Sequence, residues 1–200
     1  EPASNTKSAI AIALSGCVLV VLLGFGYAPN AFDRYGEVHF LDIGQGDSIF
    51  IRTPSHKTIL IDGGGTMSFR KAGEEWKNRK DPYEVGKKLL VPLLKKRGVH
   101  SIDYIIISHG DTDHIGGLQA VLEQIPVEQV IFNGTLKNSV LAKQLFQTAL
   151  DKNIALRTAQ QGEEIRVDTH TVLQFVYPLQ IDDGEIRMEK DQNEFSLVFL

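Results

Sequence analysis

Cysteine is almost absent from this chain: Cys17 stands alone among 200 residues. One thiol closes no internal disulfide and supplies no cysteine-rich zinc module. An excess of positive charge is missing too. The formal net charge of −4 argues against a broad electrostatic footprint for nucleic acid. It leaves room for a site where metal ions, rather than lysines, meet phosphate. No internal repeat or low-complexity tract interrupts the sequence. What remains is the composition of a globular protein, 42% hydrophobic and 23% charged. A chain of this length buries roughly 70% of its unfolded surface, enough for one domain with a real core. The sequence opens on Glu1 rather than Met and stops inside "EFSLVFL", an apolar run that reads as an unfinished strand of a longer protein.

One stretch is apolar throughout. Residues 9–27, "AIAIALSGCVLVVLLGFGY", carry no charge. About 20 apolar residues cross a bilayer core, so a transmembrane helix is expected. A signal-peptide core of the lipoprotein type is the alternative, because "LSGC" places small residues before Cys17. Ten further apolar residues past Cys17 favour the helix, since a mature lipoprotein turns polar there. Flanking charge fixes no orientation: Lys7 lies on one side, Arg34 and Asp33 on the other. The expected organisation is a lead segment 1–8, a membrane helix 9–28, a linker 29–36 containing Pro29 and Asn30, and a domain from 37 to 200.

Past the linker the pattern changes. "EVHFLDI" (37–43), "DSIFIRT" (47–53) and "KTILIDGGG" (57–65) read as three successive strands, with Gly44 and Gly46 as turn formers and Asp62 ending the third. Residues 66–82 form a charged, irregular insert, read as a solvated loop whose basic residues could touch an acidic substrate. Residues 83–98 look helical, ended by Gly98 and kinked or split by Pro92. "IDYIIIS" (102–108) is apolar at nearly every position, hence a strand buried on both faces. Residues 117–125 read as a helix, 128–133 as a strand, and 139–153 as an amphipathic helix with Val140, Leu141, Leu145, Ala149 and Leu150 on one side. The tail offers strands at 164–167, 171–176 and 194–200. Strands first, then strand–helix alternation, predict an α/β layered domain.

The chemistry sits where the buried strand ends. "SHGDTDHIGG" places His109, Asp111, Asp113 and His114 within six residues. A strand leaving the core delivers its next residues to a crevice, where α/β folds bind ligands. Imidazole and carboxylate are ligands for divalent metals, and two residues per ion from one loop would seed a two-metal site. Clustering Asp111 with Asp113 without a cation would cost repulsion. The rival is a phosphatase using Asp111 and Asp113 as nucleophile and acid, which leaves both histidines without a task. His39, His56, His100 and His170 lack such context and read as structural or surface residues.

With these residues in view, "SHGDTDHIGG" resembles the H-x-H-x-D-H signature of the metallo-β-lactamase fold superfamily. "VHFLDIGQGDSIFIRTP", "ILIDGGG" and "VPLLKKRGVHSIDYIIISHGDTDHIGGL" resemble, more narrowly, the hydrolase domain of ComEC-type DNA-uptake competence proteins. The resemblance covers about residues 38–200. It implies the N-terminal portion of an αββα sandwich, preceded by one transmembrane helix. It also implies two divalent ions: His109 and Asp111 would hold the first, Asp113 and His114 the second. The departure is Asp111, where the superfamily pattern has histidine. An extra carboxylate shifts the ligand set toward oxygen and favours manganese, with zinc and magnesium as the alternatives. The family's later bridging aspartate and histidine pair would lie past Leu200. Asp62 and Asp42, at strand ends beside glycines, are expected to orient the metal loop by accepting hydrogen bonds.

The implied activity is two-metal phosphodiester hydrolysis, with Asp113 both a ligand and the residue that orients water. The helix starting near Gly116 would offer backbone N–H groups to an anionic substrate. For a DNA-uptake protein the substrate is DNA, one strand being degraded during entry, beside other uptake components at the cell membrane, with the domain outside the cytoplasm. Two alternatives stand beside it: hydrolysis of a small ester, thioester or lactam on the same fold, and a non-catalytic module that binds or gates DNA.

Overall fold

Alternation and apolar runs account for most of the elements. The structure is a computed structural model that describes residues 2–27, 35–65, 84–179 and 186–200. The linker read at 29–36 lies largely outside these residues, and the charged insert read at 66–82 lies wholly outside them. The chain divides into two compact units, Glu1–Asp33 and Arg34–Leu200.

The first unit is helix α1, Pro2–Tyr27. Its stretch Thr6–Gly26 has a mean hydropathy of 2.5 and buries none of its surface inside the unit. It is long and apolar enough to cross a membrane. Its apolar residues have no preferred side, as expected for a helix with one apolar solvent all around it.

The second unit is built on a six-stranded sheet. Strands β1 (Glu37–Phe40), β2 (Ile49–Arg52) and β3 (Thr58–Ile61) form an antiparallel meander. Strands β4 (Ile102–Ile106), β5 (Val127–Phe132) and β7 (Ala155–Thr158) then add in parallel, giving the order β1-β2-β3-β4-β5-β7. The predicted central strand is central: β4 lies between β3 and β5. Its side chains feed two cores. Ile105 packs with the helices on one face, and Ile106 packs under a second sheet on the other. Both are fully buried, which explains a strand without polar alternation.

The helical layer contains a π-helical turn at Gly86–Leu90, α2 (Val91–Lys96), α4 (Leu118–Gln124) and α5 (Val140–Asp151). The predicted split at Pro92 is the junction of the π turn with α2. Proline has no N–H to donate, and a wide turn just before it accommodates the gap. Ser139 caps α5, its Oγ accepting from the Ala142 amide at 3.1 Å. On α5, Ala142, Leu145 and Ala149 are buried, whereas Val140 and Leu150 face solvent, which narrows the predicted apolar side.

The opposite layer is the antiparallel sheet β8 (Glu164–Arg166), β9 (Val172–Tyr177) and β11 (Val198–Phe199). The strand expected over 194–200 is shorter. A 3-10 turn, Asn193–Phe195, precedes it, because the Asp191 carboxylate accepts from the Asn193 amide and competes with strand pairing. Two three-residue strands, β6 (Thr135–Lys137) and β10 (Arg187–Glu189), pair in parallel beside the sheet and were not expected.

Candidate metal centre

Because β3, β4 and β5 are parallel, their C-terminal ends open on one side, and the residues that follow each strand meet there. Asp62 follows β3. His109 follows β4 after Ile107 and Ser108. Between them lies the one-turn helix α3, Thr112–Ile115, carrying Asp113 and His114. Glycines let these segments touch. A Cβ on Gly65 would fall 2.0 Å from the carbonyl oxygen of Thr112, and one on Gly46 would fall 1.7 Å from that of Asp113. Gly63 donates its amide to the carbonyl of His114 at 2.6 Å. The "DGGG" after β3 is therefore the bed on which α3 lies.

Asp62 organises the loop. It is 3% exposed and takes a left-handed φ of 55°, which aspartate tolerates better than most residues. Its Oδ1 accepts from the Ser108 amide at 2.9 Å, and its Oδ2 accepts from Ser108 Oγ at 2.6 Å. The same Oδ2 stands 2.8 Å from His114 Nδ1. A carboxylate accepts only, so His114 carries a proton on Nδ1, and the neutral ring offers Nε2 as a lone pair. The Ser108 hydroxyl hydrogen goes to Asp62, so its oxygen accepts from His109 Nδ1 at 3.0 Å. His109 too keeps Nε2 free. Burial penalises the charged form of His114, but the hydrogen bond and charge of Asp62, aided by Asp113 and Asp47, outweigh it and raise its pKa. In His109 burial and the neighbouring His114 lower the pKa against the pull of Asp111, so the ring is neutral at neutral pH.

The four predicted residues come together unequally. The rings of His109 and His114 lie 3.9 Å apart, centroid to centroid. His109 Nε2 stands 3.7 Å from Asp111 Oδ2. The other oxygen of Asp111 contacts the ammonium of Lys137, on β6. Asp113 is half-buried in the first turn of α3. Among the described residues, no three histidine, cysteine, aspartate or glutamate side chains close into one ligand group. The donor chemistry nonetheless fits a divalent cation: two imidazoles with Nδ1 committed to acceptors, two carboxylates on the same loop, and a protein cation already lodged on one of them.

Two predicted roles come out differently. Asp42 is exposed, and its Oδ1 accepts from the Gly44 amide at 3.3 Å, so it closes its own turn rather than orienting the loop. The amides near Gly116 are not available to an anion: Gly116 donates to Thr112 and Gly117 to Gly64, both to carbonyl oxygens. Ser108 and Lys137 went unforeseen. The serine between a buried strand and the first histidine was a readable signal. Lys137 carried none, since its partner lies 26 residues away. Asp191 also faces this mouth. Hydrogen bonds from Asn193 lower its pKa, and the charges of Lys137 and His109 add to the effect.

The sequence model of the Metallo-beta-lactamase superfamily matches residues 41–180. ComE operon protein 3 of Bacillus subtilis (strain 168) is 31% identical over 152 residues, 76% of this chain and 19% of that protein. Competence protein ComA of Neisseria gonorrhoeae is 33% identical over 105 residues, 52% of this chain and 13% of that protein. The chain thus spans a fifth or less of the length of the curated relatives it matches. These two relatives meet the ComEC-type resemblance carried by the motifs. Among solved structures, the subclass B3 enzyme MEM-A1 from a soil metagenome library has a TM-score of 0.44 at 17% identity, over 73% of this chain and 51% of that one. FEZ-1 from Legionella gormanii has a TM-score of 0.43 at 18% identity, over 72% and 51%.

Proposed function

The chain belongs to the metallo-β-lactamase superfamily, and from that premise we propose that residues 37–200 are the metal-dependent phosphodiesterase domain of a ComEC-type DNA-uptake protein, anchored by residues 9–28 and degrading the strand that is not taken up. The observation that carries the reading is the Asp62 clamp, which fixes Ser108 and His114 and frees two Nε2 atoms on the loop that bears Asp111 and Asp113.

In this reading His109 and Asp111 hold one divalent ion, and Asp113 and His114 the second, with manganese preferred over zinc and magnesium. Bound there, the ions supply Lewis acidity and lower the pKa of water. The protein does the rest. Asp62 and Ser108 keep both imidazoles in the tautomer that offers Nε2. Asp113 orients the attacking water. Lys137 balances the charge of Asp111 and places an ammonium where an anionic phosphodiester arrives. With a net charge of −4, attraction for DNA is local rather than spread over the whole surface, and binding should weaken as salt rises. The names of the two competence relatives support DNA as substrate and the uptake machinery as partner. The domain is placed outside the cytoplasm on the same resemblance.

The test is turnover by the full-length protein of single-stranded DNA, a small ester, a thioester and a lactam, with added manganese and with chelator. DNA cleavage that chelator removes supports the proposal. Turnover of the small substrates alone would assign the fold to small-molecule hydrolysis, and no turnover of any would leave a binding or gating module.

A further inference from the structure

Gln192 sits 82 residues from the loop in sequence and touches its centre. It is 1% exposed. Its Oε1 accepts from the amide of Gly110, the residue between His109 and Asp111, at 2.8 Å. Its Nε2 donates to Thr135 Oγ1 at 2.6 Å. Thr135 Oγ1 passes its own hydrogen to Asn133 Oδ1 at 2.9 Å, and Asn133 Nδ2 donates to the Phe195 carbonyl at 2.8 Å. Asn133 and Thr135 are each 3% exposed, so the chain of bonds is closed from water.

This network has one sense. If the Gln192 amide flipped, its NH2 would meet the Gly110 N–H, donor against donor, in a buried place. The approach also requires glycine: a Cβ on Gly110 would lie 2.4 Å from Gln192 Oε1 and 3.2 Å from Lys137 Cβ. The parallel pairing of β10 with β6, Arg187 opposite Thr135 and Glu189 opposite Lys137, brings residue 192 to this spot. One short strand therefore supports the loop twice, through Thr135 and Gln192 at Gly110, and through Lys137 at Asp111.

We propose that Gln192 is a positioning residue of the metal loop: its hydrogen bond to Gly110 sets the peptide between His109 and Asp111, and thereby the distance at which their donors meet a divalent cation. The proposal rests on the metal reading of the loop given above. Partners of this kind, when removed, weaken metal affinity about 10- to 100-fold.

The test is a titration of manganese onto the full-length protein, read by the electron paramagnetic resonance of the free ion. The proteins compared are native, Gln192→Met, Gln192→Glu, Thr135→Val and His109→Ala, with the melting temperature of each metal-free protein measured alongside. Gln192→Met keeps the volume and removes the acceptor, so it should bind manganese about tenfold more weakly or worse. Gln192→Glu keeps an oxygen facing the Gly110 amide and should bind at least as tightly as native within a factor of three. Thr135→Val keeps the strand and loosens Gln192, and should weaken binding severalfold even if Gln192→Met fails to fold. Native affinity in Gln192→Met or Thr135→Val, with only the melting temperature lowered, would overturn the positioning role and leave a packing one. Equal loss in Gln192→Met and Gln192→Glu would overturn it too. Affinity that is tight in native and unchanged in His109→Ala would instead overturn the metal reading of the loop.

Discussion

Three donors converge on one buried carboxylate at Asp62, and that convergence decides what the histidines can do. Substituting Asp62→Asn keeps shape and size while turning one acceptor into a donor. With Oδ1 still on the Ser108 amide, the new NH2 would face His114 Nδ1 and push its proton to Nε2, the nitrogen meant for a metal. Manganese affinity should fall about 10- to 100-fold, with the fold retained. A titration showing native affinity in this variant would contradict the tautomer assignment. At this scale the sequence was partly legible. His109, Asp111, Asp113, His114 and Asp62 announce themselves by residue type and by their position at strand ends. Asp42 has the same local setting as Asp62 but serves its own turn, its exposed carboxylate accepting from the Gly44 amide, whereas Asp62 leaves β3 directly beside Ser108 and His114. Lys137 and Gln192 come from distant segments, and no local pattern marks them.

At the scale of elements, β3 and β4 are clipped together at the edge away from the site. Asp103 Oδ2 accepts from the Thr58 amide at 2.8 Å and from its hydroxyl at 2.9 Å, and Oδ1 accepts from Lys57 Nζ at 2.5 Å. Burial alone would raise the Asp103 pKa; the Lys57 ammonium and the two Thr58 donors outweigh it and hold the carboxyl below its usual value. A folded-state pKa below the unfolded one contributes stability above pH ~4, lost as pH falls through the folded value. Asp103→Asn should therefore cost about 1–3 kcal/mol at pH 7. The gap to native should narrow as pH drops below ~4, as read by denaturant unfolding at pH 7 and pH 3. A gap that stays constant with pH would show that charge at Asp103 contributes nothing. Among elements, long signals were legible and short ones were not. β4 declared its double burial through an apolar run that includes Ile105 and Ile106, and α5 its extent through its amphipathic period. β6 and β10, three residues each, carry too few positions for any period, and they exist through their pairing with one another.

At the scale of the whole molecule, the unit Glu1–Asp33 supplies an apolar helix and the unit Arg34–Leu200 supplies both packed cores. Residues 6–26 bury nothing within their own unit and are long and apolar enough to cross a membrane, which is the basis of the anchor proposed above. A polypeptide of residues 1–200 should stay with membranes through alkaline carbonate extraction, and one of residues 34–200 should be released. Release of the longer polypeptide by carbonate would assign α1 to a cleavable leader instead of an anchor.

The central claim is that the loop 109–114 is a divalent-metal centre that cleaves phosphodiesters, and the most direct measurement is manganese-dependent cleavage of single-stranded DNA by full-length native, His109→Ala and Asp113→Ala proteins of matched circular dichroism. The account predicts cleavage by the native protein and a loss of about 100-fold or more in each variant. Native-level cleavage in both variants would contradict it.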